Sequence, residues 1–349
     1  MLLVAVRAVL LLLLTDQTQT AYASAKSESG SQVIPTQQAA VSQNVKFNLP
    51  TQRTFLLNIP SSYDKETAYP LVLSFHGAGG NSKKQQRITE LSDPSLRIAG
   101  MPFLTAYGQG VNNTEWGMKH IWKGAPYENK TVDDIAYVHD MIETVAASYN
   151  VDRSRIYACG KSNGGGFTAL LACRPDTSAV IAAFAPISPA LYQGTFAFYN
   201  CSPAGPAPIL HAHGVEDRIT EFHGRTPLGG SFGPEPDVRI WRREWAERNG
   251  CRAASYPGAY PLPAVSEVHP GAWEEVWDCP ASGEVRALTV EGLGHAWPST
   301  LGLDRAGKPN QTANFNFTSQ HLVQFFSRHR LVVSKDVEKT RVTEKQELK

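Results

Sequence analysis

Largely apolar runs, bounded by proline, glycine or polar residues, recur along most of the chain. They have the length of strands, and most lack the strict alternation that is expected where one face of a sheet meets solvent. Each is therefore predicted to be a strand of a sheet that is covered on both faces. The runs are residues 54–60, 69–75, 103–107, 156–159, 180–187, 208–213 and 285–290.

Two segments between these runs have apolar residues at helical spacing instead. In residues 131–150 the expected cap is Thr131, and Asp133 and Asp134 suit the positive end of a helix in its first turn. Residues 236–250 show a second apolar stripe, which ends at a glycine. Strands that alternate with helices predict an α/β fold, with a mostly parallel central sheet and helices on both faces.

The two ends of the chain differ from this patterned part. The first 14 residues are almost wholly apolar, and small residues follow them, as in a secretory signal with its cleavage site. This run is shorter than the roughly 20 residues of a membrane-spanning helix. The 349 residues are predicted to comprise a signal peptide (1–23), a flexible leader (24–45), one catalytic domain (46–331) and a charged, disordered tail (332–349).

Charge adds little to this picture. The net charge is +1 and 19% of the residues are charged, so a nucleic-acid surface or a polybasic membrane patch is not indicated. A secreted, extracellular monomer is expected, and its partner must be inferred from the site.

The predicted secretion favours disulfides among the five cysteines. Cys159 lies in a predicted buried strand and is taken as the free thiol. The other four allow three pairings, of which we predict Cys173–Cys201 and Cys251–Cys279. In a secreted protein the five Asn-x-Ser/Thr sequons are acceptors for N-glycosylation. The predicted glycosylation sites are Asn112, Asn129, Asn200, Asn310 and Asn316.

A Gly-x-Ser-x-Gly turn follows the strand at residues 156–159 and precedes a helix-like run. Glycines at 160 and 164 let the backbone turn tightly, so that the hydroxyl of Ser162 stands clear of it. The following helix N-terminus suits a developing oxyanion. This pattern indicates a nucleophile elbow, although a glycine-rich turn with an idle serine gives the same local sequence.

Two further residues follow predicted strands on glycine-containing loops. Asp217 comes after residues 208–213, and His295 comes after residues 285–290. The order Ser, Asp, His is that of the catalytic triad of α/β-hydrolases, the predicted fold. His295 would accept the proton of Ser162, and Asp217 would hold the imidazole. Glu216 is the alternative acid.

The remaining pieces of such a site are donors for an oxyanion. Residues 76–80, His-Gly-Ala-Gly-Gly, follow a strand and are poor in side chains, so their N–H groups are free to face a substrate oxygen. The predicted donors are the backbone N–H of Asn163 and one from Gly77 or Ala78. Nearby, His211 and His213 alternate on a strand, but no further residues at ligand spacing accompany them. No metal and no cofactor are expected.

Together these motifs resemble the secreted fungal feruloyl esterases of carbohydrate esterase family 1. The chain is also similar to their relatives, the polyhydroxybutyrate depolymerases and acetylxylan esterases. The resemblance extends from about residue 53 to 326, and Cys159 and the charged tail depart from it. It is carried by residues 59–64, 76–80, 133–134, 160–167, 213–217, 245–251 and 292–300.

The resemblance implies a secreted serine esterase that hydrolyses feruloyl or other hydroxycinnamoyl esters on plant cell-wall arabinoxylan. Its partner would be the feruloylated polysaccharide or a small hydroxycinnamate ester. The alternatives are an acetylxylan esterase, a polyhydroxybutyrate depolymerase, or an inactive hydrolase-like domain that binds polysaccharide. Trp116, Trp122 and Trp297 lie near the motifs and are predicted to stack on the phenolic ring, with core packing as their alternative role.

Overall fold

The computed structural model describes residues 42–192, 201–225, 233–253 and 259–331, and most of the predicted strands lie there within one sheet. The strands described are β1 Gln43–Asn48, β2 Thr54–Ile59, β3 Tyr69–Phe75, β4 Leu104–Gly108, β5 Val111–Asn113, β6 Met118–Ile121, β7 Val151–Lys161, β8 Ala183–Ile187, β9 Ile209–Gly214, β10 Ala264–His269, β11 Ala272–Val276 and β12 Val285–Val290.

Ten of these strands form the main sheet, in the order β1-β2-β4-β3-β7-β8-β9-β12-β11-β10. Six consecutive strands of this order are parallel to one another, namely β4, β3, β7, β8, β9 and β12, and antiparallel strands lie at both edges. Strands β5 and β6 form a separate hairpin. Because the central strands are parallel, the loops that follow β3, β7, β9 and β12 all leave the sheet at the same end, where the carboxyl ends of these strands lie.

Helices cover both faces of the sheet. Side chains alternate along each strand, so Leu71 and Leu73 pack into one buried cluster while Val72 packs into another. The helices are α1 Ser82–Thr89, α2 Asp134–Ser148, α3 Asn163–Cys173, α4 Pro175–Ser178, α5 Val238–Arg248 and α6 Val323–Arg328, which continues a π-helical turn at Thr318–Leu322. Apolar residues of α2, α3 and α5 complete the first cluster, and those of α6 complete the second.

The start of the domain is earlier than predicted. Strand β1 begins at Gln43, inside the segment 24–45 that was expected to be a flexible leader, and it pairs antiparallel with β2. As an edge strand it is largely exposed. Its two apolar residues, Val45 and Phe47, alternate with polar ones and pack against the core, where the ring of Phe47 stacks on Phe55. The rest of the leader, the signal peptide and the tail 332–349 lie outside the described residues.

The cap of α2 also differs from the prediction. Asp133, rather than Thr131, occupies the N-cap, and its carboxylate accepts hydrogen bonds from the N–H groups of Ile135 and Ala136. A carboxylate at this position stabilises the helix through its dipole as well as through the hydrogen bonds. No helix within the described part of the chain has the length and apolar character needed to cross a bilayer.

The cysteines are arranged as predicted. The structure contains the disulfides Cys173–Cys201 and Cys251–Cys279, and Cys159 is a free, buried thiol. Burial raises the pKa of this thiol to about 12, so it is not a reactive thiolate. Among the predicted glycosylation sites, Asn112 is exposed, three others are partly exposed at Asn129, Asn310 and Asn316, and Asn200 lies outside the described residues.

Candidate active site

Ser162 lies on the sharp turn between β7 and α3. Its φ of 59° and ψ of −122° are unusual for a residue with a side chain, and strain of this kind costs roughly 1–3 kcal/mol. The turn is held by hydrogen bonds from Ser162 N to Ile187 O (3.0 Å) and from Gly166 N to Ser162 O (2.8 Å). A strained serine between a strand and a helix is the geometry of a nucleophile elbow.

The glycines around this turn are required by close backbone contacts. A Cβ added at Gly160 would lie 2.2 Å from Gly164 O, and one added at Gly164 would lie 2.2 Å from Phe75 O. Such distances are far below van der Waals contact, so the elbow is pressed against the end of β3. The start of α3 therefore requires the first glycine of the Gly-x-Ser-x-Gly motif, and the end of β3 requires the second.

Asp217 and His295 meet beside this turn, on the loops that follow β9 and β12. His295 Nδ1 lies 2.7 Å from Asp217 Oδ2, and both side chains are almost fully buried. Glu216, the alternative acid, is exposed. The structure thus brings together the acid and base that the sequence predicts.

The Asp217 carboxylate is surrounded by donors. Its Oδ1 accepts hydrogen bonds from Ile219 N and Thr220 N (2.9 Å each), and its Oδ2 accepts one from Thr220 Oγ1 (2.9 Å). His213 Nε2 lies 3.3 Å from Oδ2. Burial alone would raise the pKa of Asp217, but the hydrogen bonds with His213 and His295 hold it well below its usual range. This acid is therefore a carboxylate at all working pH values.

His295 responds differently to its surroundings. Burial lowers its pKa, the positive charge of Lys161 lowers it further, and the hydrogen bond to Asp217 raises it. The net shift is downward, so the imidazole is neutral at near-neutral pH. With Nδ1 donating to Asp217, its Nε2 has the lone pair that a general base needs.

The predicted oxyanion loop lies against the serine. A Cβ added at Gly77 would be 3.1 Å from Ser162 Cβ. His76 fixes the loop: its Nε2 accepts a hydrogen bond from Gly110 N (3.0 Å), which leaves Nδ1 to donate to Gly77 O (2.8 Å). Burial lowers the pKa of His76 to about 4, so this neutral tautomer persists. Asn163 begins α3, where backbone N–H groups have no partner within the helix.

A cavity of about 250 Å³ opens onto these groups. It is lined by Ser162, His295, Gly77 and Ala78 together with apolar and aromatic side chains. The latter are Ile88, Met118, Tyr127, Tyr192 and Ile219. Polar and charged side chains also line the cavity, namely His76, Lys84, Gln85, Lys161 and Asp304.

The prediction that tryptophans line the substrate site is wrong for Trp122 and Trp297. Both are at most 1% exposed. Trp122 stacks on Phe167 and donates from Nε1 to His76 O (2.8 Å), and Trp297 donates to Thr318 Oγ1 (3.0 Å). Trp116 is 50% exposed in the turn after β5 and is not part of the cavity wall, so its role stays a prediction.

Sequence reasoning missed several residues that support the site. Thr220 and His213 both contact Asp217, and a buried ion pair joins Lys161 to Asp304 directly behind His295. The spacing of Thr220, three residues after Asp217, is a usable signal because short polar side chains commonly hydrogen-bond at this distance. The Lys161–Asp304 pair has no local signal.

The fold belongs to a known class. A parallel central sheet with a serine elbow, an acid and a histidine at the carboxyl ends of its strands, in that order along the chain, defines the α/β-hydrolase fold. Among solved structures, the acetyl xylan esterase from Aspergillus awamori matches with a TM-score of 0.50 at 15% identity, over 73% of this chain and 93% of that one. A match at this identity concerns the fold alone.

Sequence relatives narrow the class. The chain is 25% identical over 249 residues to "Feruloyl esterase B" of Piromyces equi, which covers 70% of this chain and 42% of that protein. It is 27% identical over 216 residues to "Probable feruloyl esterase C" of Aspergillus clavatus, a match that covers 62% of this chain and 68% of that protein. These relatives confirm the resemblance to the family 1 feruloyl esterases.

A third relative has a different activity in its name. The chain is 30% identical over 232 residues to a bifunctional acetylxylan esterase/xylanase of Neocallimastix patriciarum, covering 65% of this chain and 29% of that protein. The chain therefore spans less than half the length of two of these three relatives. No family model matches the chain.

Proposed function

We propose that this protein is a secreted serine esterase that hydrolyses hydroxycinnamoyl esters, such as feruloyl esters, on plant cell-wall polysaccharide. The observation that carries the proposal is the hydrogen-bonded Asp217–His295 pair beside the strained Ser162, with all three at the carboxyl ends of central strands. The feruloyl and acetylxylan esterases among the relatives support an enzyme that cleaves carboxylic esters.

The mechanism follows from the roles of these groups. Ser162 Oγ attacks the ester carbonyl carbon while His295 Nε2 takes its proton, and Asp217 stabilises the imidazolium. The N–H of Asn163 and that of Gly77 or Ala78 would bind the oxyanion. His295 then protonates the leaving alcohol as its bond to the carbonyl carbon breaks, which leaves the acyl group on Ser162 Oγ. A water molecule, deprotonated by His295, attacks the same carbon. The bond from that carbon to Oγ breaks, His295 returns the proton to Oγ, and the hydroxycinnamic acid leaves.

The cavity wall supports a flat apolar acyl group. Tyr127 and Tyr192 pack edge to face with centroids 5.8 Å apart, and Ile88, Met118 and Ile219 add apolar surface. Aromatic and aliphatic walls of this kind suit a phenolic ring. An acetyl group would leave most of this surface without a contact.

An acetylxylan esterase is the second candidate. The name of the Neocallimastix relative favours it. The two candidates share the same chemistry and differ only in the acyl group that the cavity accepts.

Release of ferulate from methyl ferulate tests the proposal. The wild type is expected to hydrolyse it, and Ser162→Ala to lose the activity while its circular dichroism spectrum stays unchanged. Full residual activity in Ser162→Ala would refute the assigned nucleophile. Methyl sinapate, caffeate and coumarate, assayed beside acetylated xylan, separate the two candidates, and a preference for acetylated xylan would favour the second.

A further inference from the structure

A buried ion pair lies next to the backbone carbonyl of the histidine of the site, and the mechanism above does not use it. Lys161 Nζ is 2.9 Å from Asp304 Oδ2, and the two side chains are 4% and 2% exposed. Burying two charges is costly, and an ion pair of this kind is often no more stabilising than apolar side chains of similar size. Stability alone therefore does not account for it.

The pair anchors the backbone at the histidine and two residues after it. Lys161 Nζ also donates a hydrogen bond to His295 O (2.9 Å), and Trp297 N donates to Asp304 Oδ2 (3.3 Å). Lys161 is the last residue of β7 and immediately precedes Ser162. One side chain thus connects the serine turn to the loop that carries the histidine.

We propose that Lys161 is a positioning residue for His295, held by Asp304, which fixes the imidazole relative to Ser162 and disfavours its premature protonation. The inference rests on the proposed function, in which His295 is the general base. Burial lowers the pKa of Lys161, the Asp304 carboxylate raises it, and the positive charge of Lys161 opposes the imidazolium of His295.

The charges that face His295 come from several elements. Asp217, on the loop after β9, favours the imidazolium, and so does Asp304. Lys161 opposes it. Lys84 of α1 lines the same cavity, and His213 of β9 contacts Asp217 Oδ2, the oxygen that His295 also contacts. Because burial and Lys161 outweigh the two carboxylates, the pKa of His295 lies below its usual range.

The test is the pH dependence of kcat/KM for methyl ferulate, whose acid limb reports the ionisation of the base in the free enzyme. In Lys161→Met the His295 pKa should rise, so the acid limb should move to higher pH by about 0.5–1 unit. We also expect kcat to fall about tenfold while KM changes less, because an aligned base acts mainly in the transition state.

Two further variants separate positioning from general destabilisation. Lys161→Arg keeps the charge and should keep the acid limb near that of the wild type. Arg53→Met breaks another buried ion pair, Arg53 Nη2 to Asp134 Oδ1 at 2.9 Å, which is not part of the cavity wall. It should lower the urea midpoint and leave the acid limb unchanged. If Lys161→Arg does not fold, the His295 imidazole can be titrated by NMR in Ser162→Ala with and without Lys161→Met, and the same upward shift is expected.

An acid limb that stays in place in Lys161→Met, or that moves as far in Arg53→Met, would overturn the inference although the wild type remains an esterase. If instead the wild type fails to hydrolyse every ester of the panel, the proposed function fails and the inference falls with it.

Discussion

In the centre of the sheet, β3, β4, β8 and β9 are buried along their whole length, whereas the outer strand β10 is mostly exposed and β11 is only partly buried. The serine, acid and histidine all follow central strands. There the backbones approach so closely that a single added carbon atom at Gly160 or Gly164 would clash. At the outer hairpin, Val265 is 56% and Trp273 is 37% exposed.

The difference shows where precision is needed. Each central loop is packed between strands and helices, so a small change there displaces the reacting groups. The edge hairpin has solvent on one side and can relax after a change. The following variants test this contrast, from the largest expected effect to the smallest.

Asp217→Asn should have the largest effect on activity. The amide would present an N–H group to His295 Nδ1, which favours the wrong imidazole tautomer, so kcat for methyl ferulate should fall by about 10³–10⁴-fold. The backbone donors of Ile219 and Thr220 keep an oxygen acceptor, so the urea midpoint should change little. Glu216→Gln is the matched control, and a comparable loss of kcat in it would contradict the assignment of the acid.

Gly164→Ala should have a large effect on stability. The added Cβ would lie 2.2 Å from Phe75 O, a contact that only backbone displacement can relieve. We expect a loss of about 3 kcal/mol or more in the free energy of unfolding, or failure to fold. Gly205→Ala is the control, because its Cβ would meet no atom within 4 Å. Equal stability of the two variants would refute the close approach of the elbow to β3.

Removal of the Cys251–Cys279 disulfide should reduce stability without affecting chemistry. The bridge closes a loop with a sequence separation of 28, for which the chain-entropy relation gives about 3–4 kcal/mol. The double variant Cys251→Ser, Cys279→Ser should therefore unfold at lower urea, while kcat and KM of the folded enzyme stay within about twofold of the wild type. A large change in KM would show that this region communicates with the site.

Trp273→Ala at the edge should have the smallest effect. Its ring is partly exposed on β11, and its Nε1 donates to Glu291 Oε1 (3.2 Å). We expect a loss of about 0.5–1 kcal/mol by urea unfolding and unchanged hydrolysis of methyl ferulate. A loss of several kcal/mol would mean that the edge is as tightly packed as the centre.

The same contrast explains which features could be predicted from the sequence. The central strands have continuous apolar runs, and the turns that follow them are rich in glycine, so Ser162, Asp217 and His295 stand out locally. Strand β1 was missed because an edge strand with one solvated face lacks such a run. Residue type alone cannot separate core from site, so Trp122 and Trp297 were misassigned.

The Lys161–Asp304 pair could not be predicted from the sequence, for another reason. Its two residues lie on segments far apart in sequence, and nothing in the surroundings of Asp304 indicates that it meets the elbow lysine. Only the packing of the loop after β12 against the end of β7 brings them together. Contacts of this kind depend on tertiary structure and leave no periodic or spacing signal.

Labelling with a fluorophosphonate probe, followed by peptide mapping, tests the central claim most directly. An activated serine should react once per chain, on the peptide that contains Ser162, and Ser162→Ala should not react. Labelling should be slower in Asp217→Asn, because the base is misoriented. A wild type that does not react, or a label on another residue that persists in Ser162→Ala, would contradict the account.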